Sequence, residues 1–256
     1  MKRILEDKVA IITGASRGLG QAFALRFARE GAKLLLTTTN LNKAEETLKK
    51  INEFGGTAFV VEMDLKNEDS VKNMADTVIK RFGKIDILVN NAAIWHGLNA
   101  KPWDSWSITE WDHMFDVNVK GTWLCCKTIV PLMKKDSHGR IINIVSTIIK
   151  SAPASQYFLA YACSKSSVYN ITIALSSALG PLGITVNGIA PGFTATEASM
   201  NMQGSEDIFK NTISAQSIKR REEPVDLVGT AAFLASNDAD FITGQVIYVD
   251  GGLTIL

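Results

Sequence analysis

The stretch KVAIITGASRGLGQAFALRFAREG, residues 8–31, decides the fold. It opens on a short β-type run, KVAIIT (8–13), and turns through TGASRGLG (13–20). It then continues as GLGQAFALRFAREG (18–31), whose apolar positions recur at helical spacing. A strand that feeds a helix through such a turn begins a βαβ unit. Gly14, Gly18 and Gly20 remove side chains where the backbone must turn sharply and approach an anionic ligand. The helix that follows offers its unpaired N–H groups and positive dipole end to a pyrophosphate. The spacing is G-x-x-x-G-x-G rather than the general G-x-G-x-x-G, so the turn draws its weight from its place at the first crossover.

The same alternation continues along the chain. KLLLT (33–37) precedes the charged amphipathic NKAEETLKKINEFGG (42–56), and TAFVVEMD (57–64) precedes SVKNMADTVIKRFG (70–83). IDILVNNAA (85–93), GRIINIVS (139–146), GITVNGIAPG (183–192) and GQVIYVDGG (244–252) complete a set of about seven strands. Near-continuous apolar strands alternating with helices mean a parallel sheet covered on both faces. The expected fold class is therefore α/β, a Rossmann-type doubly wound parallel sheet in a single domain over 1–256. Ligands should bind at the carboxyl ends of the strands, beneath a lid near 194–215.

Composition narrows the partners. The 256 residues carry 27 Lys plus Arg against 26 Asp plus Glu, a formal charge of +1, which gives no basis for a nucleic-acid or anionic-membrane partner. Three cysteines, two of them the adjacent Cys125 and Cys126, cannot all pair and read as reduced buried thiols. His96, His113 and His138 are scattered and no CxxC occurs, so no metal site is expected. Glu6 and Asp7 interrupt the basic N-terminus before any signal-like apolar run, and the apolar stretches are strand-length or carry polar residues. The expectation is a soluble cytoplasmic protein.

Two local patterns carry chemistry. After the second strand, where a carboxylate would grip the ribose hydroxyls of NAD, the chain reads Thr37, Thr38 and Thr39. Arg17 projects from the glycine turn, where a guanidinium can fork onto a 2′-phosphate. NADP(H) is accordingly favoured, with NAD(H) possible. Further on, FLAYACSKSSVYN (158–170) sets Tyr161 and Lys165 four residues apart on one helix face. A free phenol titrates near ~10, and a neighbouring ammonium is expected to lower that value toward the working range. Tyr157 is followed four residues on by Tyr161 rather than a lysine, so it is assigned to the substrate loop.

TGASRGLG, MDL (63–65), NNAA (90–93), VNVKG (117–121), NIVS (143–146), YACSK (161–165), PGFTAT (191–196) and FITGQVIYVDGG (241–252) stand in the order of the short-chain dehydrogenase/reductases. The chain resembles that family from Asp7 to its C-terminus. The resemblance implies a catalytic set of Asn118, Ser146, Tyr161 and Lys165. Tyr161 would be the general acid for carbonyl reduction and the base for alcohol oxidation. Lys165 would bind the nicotinamide ribose, Ser146 the substrate oxygen, and Asn118 a water relaying protons to Lys165. It further implies a cofactor lying along Ser16, Leu19, Asp64, Leu65, Asn90, Asn91 and Ala92. Its nicotinamide end would be held by Pro191, Gly192, Thr194 and Thr196. Family members are usually homotetramers, joined through the helices near Asn118 and Lys165 and through the C-terminal strand; the apolar tail GGLTIL fits this.

Two departures stand out. Ala93 replaces the glycine of the usual NNAG, which is tolerable wherever φ stays negative. The loop from Ser146 to Tyr161 is about two residues longer than usual. Substrate contacts are expected from Trp95, Ile148, Tyr157 and Phe193 besides Ser146 and Tyr161. Trp103 and Trp106 are either further pocket walls or a staple for the helix opened by the capping box SITE (107–110), while Met200, Met202 and Phe209 belong to the lid. A bulky apolar, aryl or cyclic ketone or alcohol is the expected small-molecule substrate. The alternatives are a 3-oxoacyl-carrier-protein reductase, against which Leu182 stands where those enzymes place an arginine, and a non-catalytic NAD(P)-binding regulator.

Overall fold

The computed structural model describes residues 3–133 and 139–255, so His138 and Leu256 lie outside it. Seven strands form one parallel sheet in the order β3-β2-β1-β4-β5-β6-β7. They are β1 (Val9–Ile12), β2 (Lys33–Thr38), β3 (Thr57–Glu62), β4 (Ile87–Asn90), β5 (Arg140–Ile144), β6 (Thr185–Pro191) and β7 (Val246–Val249). The helices between them are α1 (Gly18–Arg29), α2 (Glu45–Glu53), α3 (Glu68–Phe82), α4 (Ile108–Phe115), α5 (Gly121–Ile129), α6 (Ala152–Ser155), α7 (Leu159–Leu179), α8 (Glu197–Met200), α9 (Ser205–Ala215) and α10 (Pro224–Ala235).

Period-two alternation in β1 explains the two cores. Ala10 and Ile12 face Phe23 and Phe27 of α1 and Leu227 and Ala231 of α10. Val9 and Ile11 face Met74 and Val78 of α3 and Cys125 and Ile129 of α5. β1 is thus apolar on both sides, as a strand buried between helices requires. The ends of α3 are set locally: Asn67 caps it through Asp69 N and Ser70 N, and Gly83 ends it at φ 74°. SITE forms the expected capping box, Ser107 and Glu110 bonding reciprocally at the start of α4.

The structure differs from the sequence reading in three places. The strands are shorter than their apolar runs, because backbone pairing ends while the apolar pattern continues into the loops. The segment after Ser146, read as a loop, contains a 3₁₀ turn at Thr147–Lys150 and the single turn α6. Asn118, placed mid-helix by the pattern of MFDVNVKG (114–121), lies in a π-turn at Asp116–Lys120 between α4 and α5.

The strand order reverses between β1 and β4, and the crevice at their carboxyl ends is where such sheets bind ligands. Thr13 fastens that point. Its hydroxyl accepts from Asn91 N and Ala92 N, both at 3.0 Å, while Asn91 Nδ2 donates to Thr13 O at 2.9 Å and Gly14 O at 3.1 Å. Ala93 has negative φ, as its lack of strain requires.

Candidate active site

A cavity of about 1250 Å³ opens along the carboxyl edge of the sheet, from the β2 and β3 ends to α8 and α9. The glycine turn forms its floor. Gly14 and Gly18 adopt φ of 66° and 55°, and a Cβ on Gly20 would stand 2.2 Å from Gly14 O and 2.6 Å from Asn91 Nδ2. No side chain caps the start of α1 and no acid lies in its first turn, so its N-terminal field reaches the cavity unopposed. This floor fits the pyrophosphate of a dinucleotide.

Every residue assigned from the sequence to catalysis or to the cofactor lines this cavity, as do Trp95, Ile148, Tyr157 and Phe193, with two exceptions. Asn90 turns into the sheet, where Nδ2 donates to Asn143 Oδ1 at 2.9 Å and Cys126 Sγ at 3.4 Å, so it does not lie along the crevice. Asn91, one residue on, faces it. Asn118 is also buried away from the cavity. Its Oδ1 accepts from Ile94 N at 2.8 Å, and its Nδ2 donates to Ser164 Oγ at 3.0 Å and Met114 Sδ at 3.1 Å. Its side chain therefore ties the NNAA loop to α7, and leaves only its main-chain carbonyl, which already accepts from Thr122 Oγ1 at 2.8 Å, for the expected water.

At the β2 end, Thr38 is engaged with Asn40, donating to its carbonyl and accepting from its N–H at 3.1 Å each, while Thr39 stands exposed at the rim. Arg17 Nη1 pairs with Glu197 at 3.5 Å, bridging the glycine turn and the first residue of α8. Asp64 lies exposed on the cavity wall, its Oδ1 accepting from Lys66 N at 2.9 Å.

Ser146, Tyr161 and Lys165 meet deeper in the cavity. Ser146 follows β5, and its Oγ accepts from Ile148 N at 3.3 Å. Lys165 Nζ donates to Ile144 O at 2.7 Å and stands 5.7 Å from the centre of the Tyr161 ring. Burial pushes the Lys165 ammonium down to about 8 and pushes the Tyr161 phenol up, with a hydrogen bond to Ser146 pulling the phenol the other way. This corrects the expectation that the ammonium lowers the phenol. Both groups have lost water, and desolvation is the largest cause of each shift.

Aromatic rings wall the space above Tyr161. The Trp95 ring lies 4.8 Å from that of Tyr161 and 5.8 Å from that of Phe158, and Phe193 packs 4.5 Å from Phe209. Of Trp95, Trp103 and Trp106, only Trp95 reaches the cavity. Trp103 is exposed, and Trp106 lies under the Lys101 ammonium and joins Trp111 at the start of α4, as a staple would. Tyr157 lines the mouth. Of the residues expected in a lid, Met202 and Phe209 are buried while Met200 is exposed.

The sequence reading missed Glu197 as the partner of Arg17 and Glu222, whose carboxyl lies buried behind the Gly192 turn. Glu222 stands in KRREE (219–223), five charged residues in a row, where nothing distinguishes it from a solvated face. Among the described residues no group of three His, Cys, Asp or Glu could hold a metal ion, and no helix is long and apolar enough to cross a membrane. All three cysteines are free, and burial raises each thiol, Cys126 to about 12.

A family profile described as "Enoyl-(Acyl carrier protein) reductase" matches residues 14–254. The chain is 34% identical over 251 residues to the 3-oxoacyl-[acyl-carrier-protein] reductase FabG of Staphylococcus epidermidis, covering 96% of this chain and 99% of that one. It is 34% identical to glucose 1-dehydrogenase 2 of Bacillus subtilis, over 100% of this chain and 98% of that one. A dehydrogenase/reductase from Sinorhizobium meliloti superposes with a TM-score of 0.90 at 31% identity, covering 99% of this chain and 98% of that one. The profile match begins at the glycine turn and takes in every later strand and every segment that lines the cavity. The chain belongs to the short-chain dehydrogenase/reductase family and is one of its oxidoreductases.

Proposed function

We propose that the protein interconverts a ketone and a secondary alcohol using NADP(H), on a bulky apolar, aryl or cyclic substrate. The convergence of Ser146, Tyr161 and Lys165 beneath Trp95 in one cavity carries this reading. The glycine turn and the start of α1 would hold the pyrophosphate, Asp64 and Leu65 the adenine, and the segment from Pro191 to Thr196 the nicotinamide. The nicotinamide, when bound, supplies or accepts the hydride. Ser146 hydrogen-bonds the substrate oxygen. Tyr161, kept protonated by burial, donates its proton to that oxygen during reduction. Lys165, anchored on Ile144 O, holds its ammonium beside Tyr161 and balances the phenolate left when the proton is given up. Trp95 and Phe193 exclude water and favour flat apolar groups.

The absence of a carboxylate after β2, the exposed Thr39 hydroxyl and Arg17 at the rim support NADP(H) over NAD(H). A 2′-phosphate at that place competes with Glu197 for the guanidinium. A lid formed by α8 and α9, and a tetramer built on the α5 and α7 faces and the β7 edge, complete the reading. Trp123 and Ile173 on those helices are exposed, as an interface requires before assembly. A 3-oxoacyl-carrier substrate is the second reading, favoured by the name of the staphylococcal relative. The apolar Leu182, rather than a base, weakens it.

The test is oxidation of NADPH and NADH by purified protein over cyclic, aryl and 3-oxoacyl ketones, with Tyr161→Phe alongside. Turnover with NADPH should fall by about 10²–10⁴ in the variant. Tight cofactor binding without turnover on any ketone, or on alcohols in reverse, would overturn the enzyme reading in favour of a regulator. Arg17→Glu in the same assay should weaken NADPH far more than NADH.

A further inference from the structure

Glu222 is buried to 8% exposure, and no ion pair with it occurs among the described residues. An acid without a cation is costly in such a place, and a neutral residue would fit the same turn. Its contacts all go to one segment. Oε2 accepts from Gly192 N at 3.0 Å and Oε1 accepts from Thr194 Oγ1 at 2.5 Å. Its main chain pairs in parallel with Thr194, and its carbonyl accepts from Ala195 N at 2.7 Å. The fit is mutual, since a Cβ on Gly192 would stand 2.6 Å from Oε2. The segment so held is the turn from β6 into α8. Ser199 grips its far end, donating to Thr194 O at 2.5 Å and closing a reciprocal cap with Thr196.

We propose that Glu222 is a positioning residue for the nicotinamide end of the cofactor site, its carboxylate fixing the Gly192–Thr194 turn from behind through the Gly192 N–H and the Thr194 hydroxyl. The proposal rests on the reading of this segment as the nicotinamide holder. It also makes the hold pH-dependent. The groups facing Glu222 are Asp250 after β7, Asp226 of α10 and Arg220, which pairs with Asp226 through both carboxylate oxygens at 2.6 Å. Burial, helped by the two acids, pushes Glu222 up to about 7. The ionised carboxylate accepts both bonds. Once protonated, one oxygen becomes a donor and the pair of acceptors is broken.

The test combines amide hydrogen exchange of the ligand-free protein over residues 190–199 with calorimetric titration of NADPH at pH 6 and pH 8. In the native protein, exchange corrected for intrinsic rates should be several-fold slower at pH 8 than at pH 6, and NADPH should bind more tightly at pH 8. Glu222→Gln, which keeps one acceptor and one donor, should exchange at a rate independent of pH. Glu222→Ala should exchange about tenfold faster at both pH values and bind NADPH about tenfold more weakly. Thr194→Val keeps the segment's shape, removes one partner, and should move both readouts the same way should Glu222→Ala fail to fold. Exchange and affinity unchanged in these variants would overturn the proposal, as would faster exchange with NADPH affinity unaltered. The exchange readout needs no turnover, so a protein that reduces no ketone but shows the clamp would overturn the proposed function alone.

Discussion

Lys165 brings an ammonium to 4% exposure with one carbonyl as its partner, and this is a destabilising choice made where chemistry is proposed. Its folded value lies near 8, below the 10.5 of the free side chain. Between those values the unfolded chain binds more protons than the folded one, so stability rises with pH across that window and the penalty is full below about pH 8. Lys165→Met is therefore expected to stabilise the fold at pH 7 by about 1–2 kcal/mol, after the lost bond to Ile144 is discounted, while removing turnover. The difference in denaturation midpoint between variant and native protein should shrink from pH 8 to pH 10.5; a less stable variant at pH 7 would refute the account. The residue types and spacing of Ser146, Tyr161 and Lys165 were legible in the sequence. The balance of their charges was not, because it depends on how much water the fold removes, and spacing alone carries no burial.

The elements show the same division. Apolar alternation and the glycine turn place β1, α1 and their successors, since those features are local. The π-turn at Asp116–Lys120 is not local in origin: DVNVK has no residue that forbids an α-helix, and the extra residue is accommodated by ties to other elements. Asn118 makes those ties, to Ile94 and to Ser164. Asn118→Ala should leave Ile94 N without its acceptor and Ser164 with only its bond to Tyr161 O, and cost about 1–3 kcal/mol, read as a fall in thermal midpoint and as faster exchange of the Ile94 amide. An unchanged midpoint would dismiss Asn118 as a tie. Asn90 and Asn91 illustrate a related limit. Adjacent residues at a strand end face opposite sides, so which of the pair meets the crevice depends on where pairing stops.

At the scale of the whole molecule, the seven parallel strands and the crevice at their carboxyl ends follow from the sequence pattern, whereas the outer surface carries no such pattern. Phe241 is fully exposed beside the half-buried edge strand β7, and Ile255 lies in the nearby tail, largely uncovered. A ring in water next to an open strand edge points to a covered face in the proposed tetramer. Phe241→Glu should leave the circular dichroism spectrum intact and lower the sedimentation mass; an unchanged mass would place the contact elsewhere.

Trp95 has a consequence beyond the walls it builds. Its indole is the one of that aromatic stretch that touches both the proposed proton donor and the open cavity, with Trp103 in solvent and Trp106 beneath an ammonium. Emission from this ring is an optical signal built into the site. It should change with whatever enters the cavity, allowing candidate ligands to be ranked by light before any is shown to react.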